Sequence, residues 1–184
     1  MKYNAVLEAK KVESSPTEPV TLQEAKDWCK IEVDDDDTLI GELIVSARKQ
    51  CEGFLCISLV DKTISAVLNN SLGNIELPYG PVKEITSITD SDGTALVDDD
   101  TYKLRGFEFK KLESPCYEYL GAVYTTGYTA IPDNFKTAVL QQIAFLYENR
   151  GDTPAGSQRL NNQNVPTQLS PMVKETLNPY RRVW

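Results

Sequence analysis

The chain has 184 residues, 41% of them hydrophobic and 25% charged, which is typical of a globular protein with one main domain. Histidine is absent, so Ser-His-Asp and Cys-His catalysis and His-ligated zinc or haem are excluded. The net charge is −8, and no apolar run approaches the roughly 18 residues that cross a membrane, so we expect neither phosphate neutralisation on DNA nor a membrane span.

The first residues, MKYNAVLEAKKVESS, predict a short strand from Tyr3 to Leu7 and a polar connector. They lack the apolar centre of a signal peptide, so we expect synthesis in the cytoplasm. The four cysteines form no C-x-x-C pair, which favours reduced thiols over a zinc site or a redox motif.

Two helices are predicted to follow within residues 1–57, which we assign to a helical core. Thr21 and Glu24 have the spacing of a capping box, which predicts a first helix that ends near Ile31. The acidic run that begins at Asp34 favours the start of a second helix, whose apolar residues keep a 3.6-residue period to about Leu55.

Residues 58–126 change in character and predict an inserted antiparallel β unit, a sandwich or a partly open barrel. They are rich in Val, Ile, Thr and Tyr and are interrupted by turn residues, among them Asp92-Gly93, which predicts a hairpin turn. The pattern predicts seven short strands, at about 59–68, 73–78, 82–90, 95–97, 101–105, 107–112 and 117–125. The predicted fold class is therefore α+β.

Residues 127–151 are predicted to complete the helical core with a helix over 134–149, capped by Asp133. Leu140, Ala144 and Phe145 add apolar side chains outside its main apolar face. A helix that is apolar nearly all round is buried on more than one side, so we expect a neighbouring subunit to cover these three residues.

Residues 152–184 are predicted to form an extended C-terminal tail. Residues 152–170 are rich in Gly, Pro, Asn, Gln and Ser, which is typical of a flexible linker, and a short helix is predicted over 171–177 before the terminal NPYRRVW. Residues 150–184 carry five basic and two acidic side chains, so a basic tail follows an acidic body and is expected to dock on an acidic protein partner.

The acidic runs are the candidates for chemistry, and each has a simpler structural interpretation. A run of adjacent aspartates could hold a divalent metal for hydrolysis, but adjacent carboxylates point apart, and a solvated helix start is favoured. Asp90 and Asp92 resemble a calcium loop, yet Gly93 comes too early for that pattern, so a hairpin turn is favoured. Four tyrosines could stack on nucleic acid, but few basic residues surround them. We therefore predict no catalytic residue, no metal and no cofactor.

Four segments in order resemble one protein family. They are EPVTLQEAKDWCKIEVDDDDTLIGELIVSARKQCEGFL, LPYGPVKEITSITDSDG, VYTTGYTAIPDNFKTAVLQQIAFLYENRG and NPYRRVW. The chain resembles the head–tail connector proteins of long-tailed bacteriophages and prophages, which are also called adaptor, head-completion or DNA-packaging proteins. The resemblance covers most of residues 16–151 and returns at the C-terminus.

The resemblance implies a structural virion protein at the head–tail junction, made in the cytoplasm of a bacterial host, and not an enzyme. Such proteins assemble into a ring, commonly of twelve copies, that lies beneath the portal protein. A tail-side connector or tail terminator protein would bind below, and double-stranded DNA would pass through without specific binding. The residues expected to dock the tail on the portal are Tyr180, Arg181, Arg182 and Trp184.

The lumen of such a ring is expected to be acidic, because a negative wall repels phosphates and lets the duplex slide. The densest acidic runs are the candidates, and the alternative that both are solvated outer loops stays open; they are Asp34, Asp35, Asp36 and Asp37, and Asp98, Asp99 and Asp100. Two alternative functions are also compatible with the sequence. One is a metal-dependent nuclease or phosphoesterase that uses the aspartates, and the other is a β-domain accessory of the virion that binds a receptor or glycan.

Overall fold

The computed structural model describes residues 4–12, 17–98, 100–149 and 169–182. They form two compact units, a β unit and a helical unit, so the predicted α+β class is confirmed. The β unit contains the N-terminal strand, Cys56–Thr129 and Arg182, whereas the helical unit contains Glu18–Leu55 and the described part of Ala130–Arg181. Among the described helices, none is long and apolar enough to cross a membrane.

Two antiparallel sheets form the β unit. The larger sheet has the order β1-β2-β7-β4 and the smaller has the order β3-β6-β5. The strands are β1 (Asn4–Val12), β2 (Lys62–Asn70), β3 (Asn74–Glu76), β4 (Val82–Thr89), β5 (Lys103–Arg105), β6 (Lys111–Glu113) and β7 (Tyr117–Thr126). The two central strands alternate buried and more exposed residues, so one face of the larger sheet packs on the core.

The N-terminal strand differs from its prediction in length and in partner. The sequence pattern ended it at Leu7 and grouped it with the helices, whereas β1 continues to Val12 and pairs with β2. The pairing places Val6 opposite Leu68 and Ala9 opposite Ala66, with a register shift between. Strand pairing is a long-range contact, and the hydrophobic pattern of an isolated strand does not specify its partner.

Two of the seven predicted strands are reduced in the structure. Residues 95–97 contribute a single bridge, Thr89 to Ala95, instead of a strand. The predicted hairpin turn is present. The Asp90 carboxylate stabilises it by accepting hydrogen bonds from the backbone N–H groups of Asp92 and Thr94, at 3.0 and 2.9 Å. The strand predicted over 107–112 starts only at residue 111, because a turn occupies the residues before it.

The described part of the helical unit contains four helices, which the sequence predicted to within a few residues. They are α1 (Leu22–Cys29), α2 (Asp37–Leu55), α3 (Asp133–Glu148) and α4 (Pro171–Leu177), followed by a 3-10 turn at Asn178–Tyr180. The predicted capping box of Thr21 and Glu24 is present, and α1 ends before Ile31 because Lys30 adopts a left-handed conformation. Pro132, not Asp133, is the N-cap of α3, and Asp133 is its first helical residue.

Buried polar bonds fix the packing inside the helical unit. The Arg48 guanidinium is only 1% exposed and binds the carboxylates of Glu18, at 2.8 and 3.1 Å, and Glu52, at 2.9 Å. Gln142 is fully buried on α3; its amide donates to Gln50 of α2 at 2.7 Å and accepts from the Ser170 N–H at 2.9 Å. These bonds hold the start of the unit and the start of α4 in defined positions.

Candidate functional site

The apolar side of α3 borders an open groove in the helical unit. The groove encloses about 530 Å³, and its apolar lining includes Trp28 of α1, Ala144 and Phe145 of α3, and Met172 of α4. Trp28 is 46% exposed and Met172 is 63% exposed. Two of the three residues predicted to meet a neighbouring subunit therefore line one surface, while Leu140 is half-buried and lies outside the groove lining.

Two polar side chains of α3 also line this groove. The Gln141 Oε1 atom is buried and has no hydrogen-bond partner among the described residues. Glu148 is exposed at the groove and contributes a negative charge. A buried acceptor without a donor is unfavourable, so the groove favours an occupant that supplies apolar contact, an N–H donor and positive charge.

The acidic run before α2 is tied to its own unit. Lys26, which is buried on α1, binds Asp34 at 2.5 Å and Asp37 at 2.7 Å. The hydrogen bond from Lys26 holds the pKa of Asp34 below its usual value, and the two carboxylates raise the pKa of Lys26. The Tyr147 hydroxyl donates to Asp36 at 2.5 Å, which leaves Asp35 as the aspartate of this run without a partner among the described residues.

The second acidic run presents Asp98 and Asp100 on the surface of the β unit, while Asp99 lies outside the described residues. Asp98 forms a single parallel bridge with Tyr102. Burial, and then the charge of Asp98, raise the pKa of the Tyr102 hydroxyl. Within the part of the chain that the structure describes, no three acidic or cysteine side chains gather as a metal site would require.

The described C-terminal residues, which were predicted to dock on a partner, contact side chains of their own units. In the helical unit, the Tyr180 ring packs edge-to-face on Phe135, with centroids 5.4 Å apart, and the Arg181 guanidinium lies 5.1 Å from the Phe54 ring. In the β unit, the Arg182 guanidinium lies 3.7 Å from the Phe109 ring and 3.4 Å from a Glu76 oxygen. Trp184 and most of the predicted linker, namely residues 152–168, lie outside the described residues.

The sequence analysis did not predict that Phe107 would be exposed. Phe107 is 97% exposed in the turn between β5 and β6. The pattern had placed it at the start of a strand, where its side chain would pack against neighbouring strands. The preceding Gly106, with φ of +98°, is the sequence signal for a turn at this point.

The arrangement as a whole defines a class of protein. The described residues present an apolar groove, an exposed aromatic turn and acidic runs, which together are typical of a protein that acts through contacts with other proteins. Residues 18–183 match the model of the head completion protein family, so the chain belongs to that family. It is a structural protein of the head–tail junction, and the resemblance found in its sequence is confirmed.

Solved structures with a similar fold come from gene transfer agent particles. The chain is similar to a chain in the neck of an empty particle computed with C6 symmetry, with a TM-score of 0.70, 18% identity and 97% of each chain covered. It is also similar to a chain in the neck of a native particle computed with C12 symmetry, with a TM-score of 0.64, 18% identity and the same coverage. At this identity the likeness shows a shared fold. No curated protein matches the sequence.

Proposed function

We propose that the protein forms a cyclic ring of twelve copies beneath the portal, joins the head of the virion to its tail and continues the DNA channel. The family match over residues 18–183 carries this proposal, because it spans both units. The C6 and C12 symmetries of the similar neck structures support a cyclic ring, and the C12 symmetry supports twelve as its copy number. No contact among the described residues favours the nuclease or the glycan-binding alternative.

The groove of the helical unit is the surface that we assign to the contact between subunits. Closed rings need a surface on each subunit that binds a different surface of the next. Apolar area that is removed from water contributes about 25 cal/mol per Å², so covering Trp28, Phe145 and Met172 would favour assembly. Leu140 lies on the same helix and is half-buried, so it would border the contact.

The experiment compares Phe145→Glu with Val97→Glu. Val97 is exposed on the β unit and is not one of the groove-lining residues, so its variant introduces the same charge outside the lining. Native mass spectrometry and negative-stain imaging would be run on each protein, alone and with the portal protein of the same phage. We expect rings of twelve for the parent chain and for Val97→Glu, and their loss for Phe145→Glu, with helix content by circular dichroism unchanged. If the parent chain stays monomeric and never joins a portal ring, the proposal is wrong.

The C-terminal residues are the part that we propose binds the portal. Tyr180 and Arg181 are exposed, and aromatic and Arg residues are favoured at the centres of protein interfaces. Deletion of residues 178–184 should abolish binding to purified portal while rings still form. Because the deletion also removes the contact of Tyr180 with Phe135, thermal unfolding of the truncated protein is the control. Undiminished portal binding would contradict this role.

A further inference from the structure

Phe107 is exposed although the turn that carries it is held firmly. Gly106 has φ of +98°, and a Cβ atom at that position would lie 2.6 Å from the Phe109 carbonyl oxygen, so the turn requires glycine. The Val82 N–H donates to the Glu108 carbonyl at 2.8 Å, and the Leu77 N–H donates to the Lys110 carbonyl at 2.9 Å. These two bonds hold the backbone that follows Phe107, and the pairing of Arg105 with Lys111 holds the backbone that precedes it.

An exposed aromatic side chain on a fixed backbone turn is suited to binding, because the backbone loses little conformational entropy when a partner covers the ring. The backbone N–H of Phe107 makes no hydrogen bond to any described residue, so it is available as a donor. The turn therefore offers an apolar ring with a free N–H group beside it. These are two of the three features that the groove favours in an occupant.

The charges around the turn supply the third feature. Residues 103–111, which are the turn and the strand residues beside it, contain four basic side chains and one acidic side chain, whereas the chain as a whole has a net charge of −8. One of the four, Arg105, binds Glu113 at 3.2 Å, so the other three supply the positive charge. The groove on the helical unit is bordered by the carboxylate of Glu148. A basic, aromatic turn and an acidic, apolar groove are complementary in charge and in polarity.

We propose that Phe107 of one subunit inserts into the groove of the next subunit, between Trp28, Phe145 and Met172, and that this contact closes the ring. The Gln141 Oε1 atom then accepts a hydrogen bond from the backbone of the inserted turn. The contact joins different surfaces of two copies, as a cyclic assembly requires. The inference rests on the proposed ring and names the two surfaces that hold it together.

The first test compares Phe107→Ser with Leu72→Ser. Leu72 is 59% exposed on the same unit, so its variant controls for the loss of an exposed apolar side chain. Sedimentation of the full chain, alone and with portal protein, would measure ring formation across a concentration series. We expect Phe107→Ser to weaken assembly at least tenfold and Leu72→Ser to leave it unchanged.

The possible outcomes distinguish failure of the proposed Phe107 contact from failure of the proposed ring. Rings that form equally well with Phe107→Ser would overturn the contact while the ring stands. If the parent chain forms no ring under any condition, both the ring and the contact are wrong. Because Phe107 packs on nothing that the fold needs, its replacement should leave the thermal unfolding temperature unchanged, and a large decrease would show a structural role instead.

The second test identifies what Phe107 touches. Phe107→p-benzoylphenylalanine would be incorporated into the full chain, and assembled rings would be irradiated with and without duplex DNA and portal. Mass spectrometry of the cross-linked peptides should show α1, α3 or α4 of a second copy. Cross-links to the portal, to DNA or to the β unit of the second copy would each overturn the assignment. Mixing isotope-labelled and unlabelled subunits distinguishes a second copy from the same chain.

Discussion

The Arg48 side chain is nearly fully buried between two carboxylates, so its ion pairs are expected to contribute strongly to the stability of the helical unit. Removing the cation would break its ion pairs with Glu52, which is buried, and with Glu18, which is partly buried. Breaking a buried ion pair on one side costs about 3–5 kcal/mol, whereas a surface cation contributes little. We therefore expect Arg48→Met to lower the free energy of unfolding by that amount.

Urea unfolding followed by circular dichroism would measure this change, with Lys49→Met as the matched control. Lys49 is the neighbouring residue of α2 and is exposed, so its loss should change stability by less than about 0.5 kcal/mol. Equal effects of the two substitutions would mean that the buried carboxylates are not held by Arg48.

Tyr124 makes the β unit sensitive to alkali. Its ring is fully buried, its hydroxyl donates to the Pro78 carbonyl at 2.8 Å, and burial raises the pKa of the hydroxyl well above 10. In the unfolded chain the same hydroxyl ionises near pH 10, so the stability it contributes is complete below pH 10 and decreases as the pH rises above it. Tyr128, whose pKa burial raises to about 12, adds to the same trend.

Tyr124→Phe tests this pH dependence of stability, by unfolding at pH 8 and at a series of values from pH 9 to pH 11. At pH 8 we expect a loss of about 1–2 kcal/mol, because the Pro78 carbonyl loses its donor. Between pH 9 and pH 11 the variant should lose less additional stability than the parent chain, since its unfolded state has one hydroxyl fewer to ionise. Tyr119→Phe, at an exposed position, is the control. Parallel pH profiles for the parent chain and Tyr124→Phe would contradict the linkage.

At the scale of the elements, Gln142 connects α2, α3 and the start of α4. Its amide bonds to Gln50 and to the Ser170 N–H are both lost in Gln142→Leu, which leaves a buried N–H without an acceptor. A loss of about 1–3 kcal/mol is expected, concentrated at α4. Hydrogen exchange should therefore become faster over residues 170–177 than over α1.

The adjacent Gln141 is the matched control, because its Oε1 atom is buried without a partner among the described residues. Gln141→Leu removes an unsatisfied acceptor of the same size on the same helix, so stability should be unchanged or slightly higher. If Gln141→Leu destabilises the protein as much as Gln142→Leu does, the bonds of Gln142 are not what holds α4.

The sequence predicts the helices more closely than the strands for a physical reason. A helix start depends on residues within one turn, so Thr21 with Glu24, and Ser170 before Pro171, mark their helices locally. A strand needs a partner that lies far along the chain. β1 pairs with β2 more than fifty residues away, and the register of that pair cannot be derived from residues 4–12 alone.

The sequence predicts the part of the candidate site that lies on α3, but not the parts that lie on other helices. Ala144 and Phe145 stand out because α3 is apolar beyond one face, and that excess is visible in the sequence. Trp28 and Met172 join them only through the packing of α1 and α4 on α3, which no local pattern specifies. Similarly, nothing in the spacing of Lys26 and Asp34 predicts their ion pair, because it depends on the turn that follows α1.

At the scale of the assembly, the negative charge of the subunits determines how strongly the proposed ring would bind DNA that passes through it. Twelve copies of a chain with net charge −8 carry −96, so some carboxylates would lie near a duplex that passes through the ring. The two acidic runs differ in this respect. Lys26 offsets part of the charge of Asp34 and Asp37, whereas Asp98 and Asp100 are exposed, so the second run would repel phosphates more strongly.

DNA binding by assembled rings across a salt series tests the passive channel. Few phosphates would be neutralised, so we expect weak, sequence-independent binding and a slope of log K against log salt smaller in magnitude than about 2. If the second run lines the channel, replacing Asp98, Asp99 and Asp100 together by Asn should strengthen DNA binding. The same change at Asp34 and Asp37 should have a smaller effect, since Lys26 already offsets them. Tight binding by the parent ring at physiological salt, with a steep slope, would instead show that basic side chains such as those of residues 103–111 face the duplex.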